Sequence, residues 1–340
     1  MTSQRLRRHE AVAASLAALN DAALSALVGD TATGAVGVGG GSSVVRVGGL
    51  PVFVKRVPLT DRELAAPRST ANLFDVPTAC QYGMHRLAGP GVSGWRELAA
   101  NLTVTAGVLA GETDHFALLH HWRVLPGRLP VAAEHRDVEA VVVQFDGAPG
   151  VRARLEALHR ATASLVLFSE YLPGTMDDWL ADPLARAEQL ERQLFEMVAF
   201  LRGRELLHMD GHFANMRVHD DRVHLVDFGL ATSTAFDLTP AERAFVIRNR
   251  EHDADYAAMR LVNWLVSSVC GLPPPTGPGP DLDARNAYVH RCADGDLPHD
   301  VPPTVVGLLA RHASAAARMN TFTARLYDGD TDAEYTGPTA

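Results

Sequence analysis

His208, Asp210 and Asn215 stand in the order H-x-D-x-x-x-x-N, and twelve residues beyond Asn215 an apolar run at 223–226 leads into Asp227-Phe228-Gly229. An Asp and an Asn on one loop, followed by a second Asp delivered from a strand, can place a base and two oxygen ligands around one point. That set suits transfer of a phosphoryl group to a hydroxyl. A base must sit beside the hydroxyl, while an amide oxygen and a carboxylate hold Mg²⁺, a cation that prefers hard oxygen ligands. Asp210 is then the base, and Asn215 and Asp227 are the metal ligands. Either motif alone describes an acidic turn beside a hairpin equally well. Their order and spacing favour the site, provided that groups to hold a nucleotide lie upstream.

Upstream, residues 35–58 read as short β-branched strands at 36–38, 44–47 and 52–57, separated by Gly-rich turns. The first turn carries Gly37, Gly39, Gly40, Gly41 and Ser42, where missing Cβ atoms let backbone N–H groups approach a phosphate. It departs from G-x-G-x-x-G because Ser42 takes the place of the third Gly. Lys55 ends a strand one hairpin later and needs a carboxylate to hold it. A helix predicted from Gly94 to about Leu109 offers Glu97 in its first turn; Glu63 is the rival, and a first-turn Glu also simply complements a helix dipole. The long stretch between Lys55 and Glu97, with Pro58, Pro67, Pro77 and Gly89-Pro90-Gly91, reads as an insertion that covers the site or binds the acceptor.

Other elements must position these groups. The spacing of Val12, Leu16, Leu19, Leu24 and Leu27 predicts one or two amphipathic helices; Glu10 and Asn20-Asp21 spoil a signal peptide, so the helices are expected to pack on the domain. Residues 115–125 predict a strand whose His120 and His121 face opposite sides, which argues against a metal set with His115. His135-Arg136-Asp137 imitates a catalytic triplet, yet Val142 stands where an Asn is needed. An apolar strand runs from Ser164 into Glu170, before Pro173-Gly174, and the Asp177-Asp178 pair opens a short helix, where it caps the helix or faces a cationic substrate. Leu190, Leu194, Met197 and Leu201 predict a helix over 185–202 that delivers the Asp210 loop. Helices are expected within 241–270 and from about Thr304 to Leu326, a surface break at 272–280, and a frayed tail from Tyr327.

Taken together, these residues resemble the protein-kinase-like superfamily, closest in motif to the aminoglycoside phosphotransferase and choline-kinase-type enzymes, with a DFG motif as in protein kinases. The resemblance implies an α+β, two-lobed protein-kinase-like fold: a helical extension over 1–30, a small antiparallel-sheet N-lobe over 31–169, a larger, mainly helical C-lobe over 170–326, and a flexible tail over 327–340. It implies ATP and Mg²⁺ as cofactors. Lys55 would grip the α- and β-phosphates, the glycine loop would cover them, and the backbone of Glu170 to Leu172 would hydrogen-bond adenine. His212 would contact the γ-phosphate or the acceptor, and His208 would order the loop from beneath.

Three departures separate the chain from regulated protein kinases. Met209 replaces the Arg of HRD, His212 stands where a Lys is usual, and no A-P-E follows DFG; the nearest imitation is Thr239-Pro240-Ala241-Glu242. The preferred acceptor is therefore a hydroxyl-bearing small molecule, an antibiotic or metabolite. The alternatives are a Ser/Thr hydroxyl on a protein or precursor peptide, and a nucleotide-binding pseudokinase, which the presence of Lys55, Asp210, Asn215 and Asp227 disfavours.

The composition agrees with this class. A chain of 340 residues, 47% hydrophobic and 21% charged, is long enough for a substantial core. Three well-separated Cys suggest neither a disulfide framework nor a zinc site and fit a reducing cytoplasm. A net charge of −9 argues against nucleic acid or an anionic membrane as partner and accommodates a cationic acceptor more easily than a polyanion. No apolar run of about 18 residues is present to span a membrane.

Overall fold

A computed structural model describes residues 3–29, 36–37, 40–277 and 279–338. The fold is α+β. Its strands β1 (Val36–Gly37), β2 (Gly40–Val47), β3 (Leu50–Leu59), β4 (Leu119–Pro126) and β5 (Ala163–Glu170) form one antiparallel sheet in the order β1-β2-β3-β5-β4. Val44, Val45, Val47, Val52, Val54 and Val57 supply the branched side chains that a pleated surface favours. Two helices, α1 (Ser3–Ala17) and α2 (Asp21–Val28), cover one face: Val12, Leu16, Leu24 and Val28 pack against Val45, Val47, Val52, Val54, Leu125, Val166 and Phe168. On the other face, α4 (Gly94–Leu109), reached through the short α3 (Asp61–Ala65), packs Trp95 and Leu98 on Val57, Leu59, Leu165 and Leu167.

The segment before α4 is not a bare loop. Phe74, Val76 and Cys80 share a small core with Val141, Val142 and Phe145 of the α5 region (α5, Val138–Gln144) and with Val151 and Leu155 of α6 (Pro149–Arg160). Glu63 of α3 closes a capping box with Thr60, accepts from the Gly94 amide at 2.9 Å and pairs with Arg154 of α6 at 3.2 Å. This fastens the insertion to the start of α4. His135-Arg136-Asp137 belongs to the same unit: His135 Nε2 meets the Ala88 carbonyl at 2.8 Å, and Asp137 caps α5.

Beyond β5 the chain is mainly helical. The short α7 (Met176–Trp179) precedes α8 (Pro183–Gly203), whose Leu190, Leu194, Met197 and Leu201 are buried as their spacing predicts. Two short antiparallel ladders follow, β6 (Leu206–Leu207) with β9 (Thr232–Ser233), and the hairpin of β7 (Met216–His219) with β8 (Arg222–Leu225). Then come α9 (Pro240–Arg248), α10 (His252–Ser268), α11 (Pro280–Ala293) and α12 (Pro303–Tyr327), with α8, α10, α11 and α12 sharing the largest core. No single helix among the described residues is long and apolar enough to cross a membrane.

Three expectations need correction. The strand expected from 115 begins at Leu119, because Phe116 instead bridges Leu225, and a register shift follows between Leu119 and His121. The sequence reading also leaves out α11, whose polar face dilutes its periodicity; Val289 and Cys292 are its buried residues. Finally, the tail is not frayed over 330–338. Tyr335 is 1% exposed, and its hydroxyl donates to Asp255 Oδ2 at 2.7 Å.

Candidate active site

Lys55 lies on β3 between Ser42 of β2 and Leu167 of β5, so two neighbouring strands fix its backbone. Its Nζ is 2.7 Å from Glu97 Oε1 and 2.7 Å from Asp227 Oδ1. Glu97 is held by the first turn of α4, which Ser93 caps by accepting from the Trp95 amide. The rival Glu63 is spent on Arg154 and on the chain entering α4, so the structure brings Glu97, and not Glu63, to Lys55. Burial disfavours the ammonium form of Lys55, but Asp227 and Glu97 outweigh it and raise its pKa. Burial pushes the Glu97 carboxyl up to about 7 despite Lys55. Burial acts the same way on Asp227, yet Lys55 and the Gly229 amide hold that carboxyl below its ordinary range.

Asp227 follows β8 at φ 65°, a left-handed backbone uncommon for a residue with a side chain. The turn is held by its surroundings. The Val226 amide donates to the Asn215 carbonyl at 2.9 Å, and buried Phe228 packs against His208 and Phe116. Lys55 and the Gly229 amide both use Asp227 Oδ1, which leaves Oδ2 open on a side chain that is 41% exposed.

The Asp210 loop is equally constrained. Asn215 Nδ2 donates to the Asp210 carbonyl at 3.0 Å and to Asp210 Oδ2 at 3.1 Å. Its amide oxygen is therefore turned away from Asp210. His212 Nε2 stands 3.5 Å from Asp210 Oδ2. Beneath, His208 Nε2 faces the Val226 carbonyl at 3.1 Å and its Nδ1 accepts from the Asp210 amide at 3.3 Å. A carbonyl can only accept, so the proton sits on Nε2 and His208 ties the two motifs together.

Sequence reasoning missed Asp253. Near the start of α10, its carboxylate accepts from the His208 amide at 2.6 Å and the Met209 amide at 3.0 Å, holding Met209 at φ 68°. The signal was slight: an acidic residue in the first turn of a helix, which a helix dipole explains as well.

The insertion passes over this floor. A Cβ on Gly83 would lie 2.3 Å from Asp210 Oδ1, so only glycine fits there. Asp210 Oδ1 is buried without a hydrogen-bond partner. Asp210 thus has one oxygen fixed by Asn215 and one buried against Gly83. Downstream, Arg96 of α4 donates to Glu242 of α9 at 2.7 Å and to the Thr70 carbonyl at 2.7 Å, which joins helix, insertion and the stretch after Gly229.

The glycine stretch and the strand end differ from expectation. Gly40, Gly41 and Ser42 are part of β2 and not of a turn; Gly40 has φ 116°, and a Cβ there would meet the Arg56 carbonyl at 2.1 Å. Gly37 lies on β1, and Gly39 lies outside the described residues. At the end of β5, the Glu170 amide donates to the Leu118 carbonyl at 2.8 Å, so it is spent within the protein. The Glu170 carboxylate binds Arg5 through Nε at 3.0 Å and Nη2 at 2.7 Å. The Glu170 amide is therefore closed to the expected adenine contact.

His115 and His120 have other partners. His115 bridges the Val223 carbonyl and Glu196, and His120 Nδ1 meets His9 Nδ1 at 2.9 Å. Asp178 accepts from Thr175 at the start of α7.

Together, the amide oxygen of Asn215 and Oδ2 of Asp227 offer two hard oxygens, the donor set that Mg²⁺ requires. Lys55 supplies a cation beside them and Asp210 a fixed carboxylate. No family model matches the chain, and no curated protein matches it.

Proposed function

We propose that this chain is an ATP- and Mg²⁺-dependent phosphotransferase that moves the γ-phosphoryl group to the hydroxyl of a small molecule. The observation that carries this reading is the convergence of Lys55 Nζ on Glu97 and Asp227, 2.7 Å from each, beside a loop on which Asn215 fixes Asp210. One buried cation between two carboxylates, next to two free oxygen donors, suits a nucleotide triphosphate and its metal. The antiparallel sheet with α4 on one face, followed by a mainly helical half, supports a two-lobed protein-kinase-like arrangement, nearest the aminoglycoside phosphotransferase and choline-kinase-type branch.

Asn215 and Asp227 would hold Mg²⁺, which would supply neutralisation of charge on the phosphates. Lys55, oriented by Glu97, binds the α- and β-phosphates from the sheet. The backbone of Leu172 meets the adenine. Asp210 accepts the proton of the acceptor hydroxyl at Oδ2, since Oδ1 is buried against Gly83, and Asn215 holds that carboxylate in place. His212, beside Oδ2, is within reach of the transferred group. The small-molecule reading is favoured by the short exit after Gly229. Thr239 closes a capping box with Glu242, and Arg96 binds Glu242, so this stretch folds directly into α9.

The reading is tested by titrating Mg·ATP into the wild-type chain and into Asp227→Ala. Saturable, Mg²⁺-dependent binding that the substitution abolishes is expected. Binding that is equal in both, or absent from the wild type, overturns it.

A further inference from the structure

Arg260 lies against the catalytic loop with Arg285 within its electrostatic reach, and neither meets a carboxylate among the described residues. Arg260 lies on α10, seven residues after Asp253 and four after Tyr256, a spacing that keeps all three on the face under the loop. Its guanidinium sits over the ring of Phe213, with Cζ 5.0 Å from the centroid, and Phe213 directly follows His212. The Tyr256 phenol lies within electrostatic reach of both Asp210 and Arg260. Arg285 approaches from α11, which packs along α10. The Nε atoms of Arg260 and Arg285 are buried without hydrogen-bond partners, and neither side chain forms an ion pair among the described residues. Arg285 donates only to Asn286 Oδ1, at 3.3 Å. Loss of water, and then the neighbouring Arg260, hold the Arg285 guanidinium down to about 10.

Both residues are half-buried, and withdrawing part of a guanidinium from water without a counter-charge is unfavourable, the more so with a second guanidinium within electrostatic reach. The chain does not lack carboxylates: it has 40 acidic residues, and its fully buried arginines take them, Arg96 with Glu242 and Arg154 with Glu63. Arg260 and Arg285, both half-buried, take none among the described residues. A planar guanidinium fork fits a carboxylate or a phosphate through paired hydrogen bonds. We propose that Arg260 and Arg285 form an oxyanion-binding site beside the catalytic loop, so that the small-molecule acceptor carries a phosphate or carboxylate group as well as the hydroxyl. This rests on the phosphotransferase reading for the role of the bound molecule, and it reverses the expectation of a cationic acceptor.

The test is calorimetric titration of inorganic phosphate, and separately of acetate, into the full chain at constant ionic strength with the nucleotide site filled by Mg·ADP. Arg260→Gln, Arg285→Gln and the conservative Arg260→Lys are run beside the wild type. Saturable binding of at least one anion is expected. Each Gln variant should weaken it by roughly tenfold, the loss of one charge-assisted contact, and Arg260→Lys should weaken it less. Preference for phosphate or for acetate assigns the acceptor's group. Without ligand, the Gln variants should melt at or above the wild-type Tm, because an unpaired charge has been removed; arginines that merely pack would lower it. No saturable binding to the wild type, or equal affinity in all variants, overturns the proposal. If Mg·ADP fails to bind the wild type, the phosphotransferase reading fails instead, and the same comparison without nucleotide still decides whether the anion site exists.

Discussion

At Lys55, one cation is shared by two carboxylates of opposite character: Asp227 is held ionised, while burial lifts Glu97 to about 7. A phosphate can therefore draw on Lys55 without moving the backbone, since Glu97 remains behind it on α4. Asp210→Asn keeps the shape of the loop but removes the proton acceptor. Turnover should fall by roughly 10²–10⁴-fold with little change in Mg·ATP affinity, as read from steady-state kinetics and a nucleotide titration. Near-normal turnover would remove Asp210 from its role. That these residues come together was legible from their types and spacing along the chain, and Lys55 does meet Glu97 and Asp227 as Asn215 meets Asp210. Asp253 and Gly83 were not, since each acts through a contact made across the fold: a carboxylate under two amides, and a missing Cβ over Asp210.

At the scale of elements, the insertion and α1 both press on the site. Deleting residues 61–90 would remove Glu63 from its network and buried Tyr82 from the main core, so a point change is the cleaner probe of the insertion. Gly83→Val should force residues 82–84 or Asp210 aside and reduce turnover by roughly 10²-fold. Mg·ATP affinity should be retained, and unchanged turnover would show that the contact with Asp210 has no bearing on the reaction. The helix α1 clasps the end of β5 through Arg5 and Glu170, whose side chains are 14% and 17% exposed. Arg5→Ala leaves Glu170 without its counter-charge and should cost about 2–3 kcal/mol in denaturant unfolding.

The same interface predicts an acid response. Burial, then the neighbouring His9, lowers the pKa of His120 from 6.5 to about 4, and burial lowers that of His224 to about 3. Stability that depends on these neutral rings is complete above pH 6.5 and is lost as pH falls through the folded-state values. The Tm should therefore drop between pH 6.5 and 4, and His120→Gln should flatten that slope. An equal slope in the variant would locate the acid sensitivity elsewhere. The helices α1 and α2 were readable from their apolar spacing; what they clasp was not, because Arg5 and Glu170 are 165 residues apart.

For the whole molecule, the sheet with its two covering layers and the long helices α8, α10 and α12 follow from periodic patterns. The misjudged parts, α11 and the tail, are those whose hydrophobic signal is carried by a few residues. Tyr335 is one such residue, packed against His252 and Phe322 and bonded to Asp255. Tyr335→Ala should cost about 3–5 kcal/mol, the range for emptying a buried aromatic site, and an unchanged unfolding midpoint would show that the tail contributes nothing to the fold. The net charge of −9 likewise hid the cationic pair at Arg260 and Arg285, because a total says nothing of local placement.

The proposed reaction is phosphate transfer by Asp210, Asn215, Asp227 and Lys55 to a small hydroxyl compound. Its most direct test is incubation of the chain with ATP labelled at the γ-phosphate and with separated small-molecule and peptide fractions of the native cell. Label entering the small-molecule fraction with the wild type, and not with Asp210→Asn or without Mg²⁺, is the predicted result. Label entering only the peptide fraction would contradict the acceptor, and label entering neither would contradict the phosphotransferase itself.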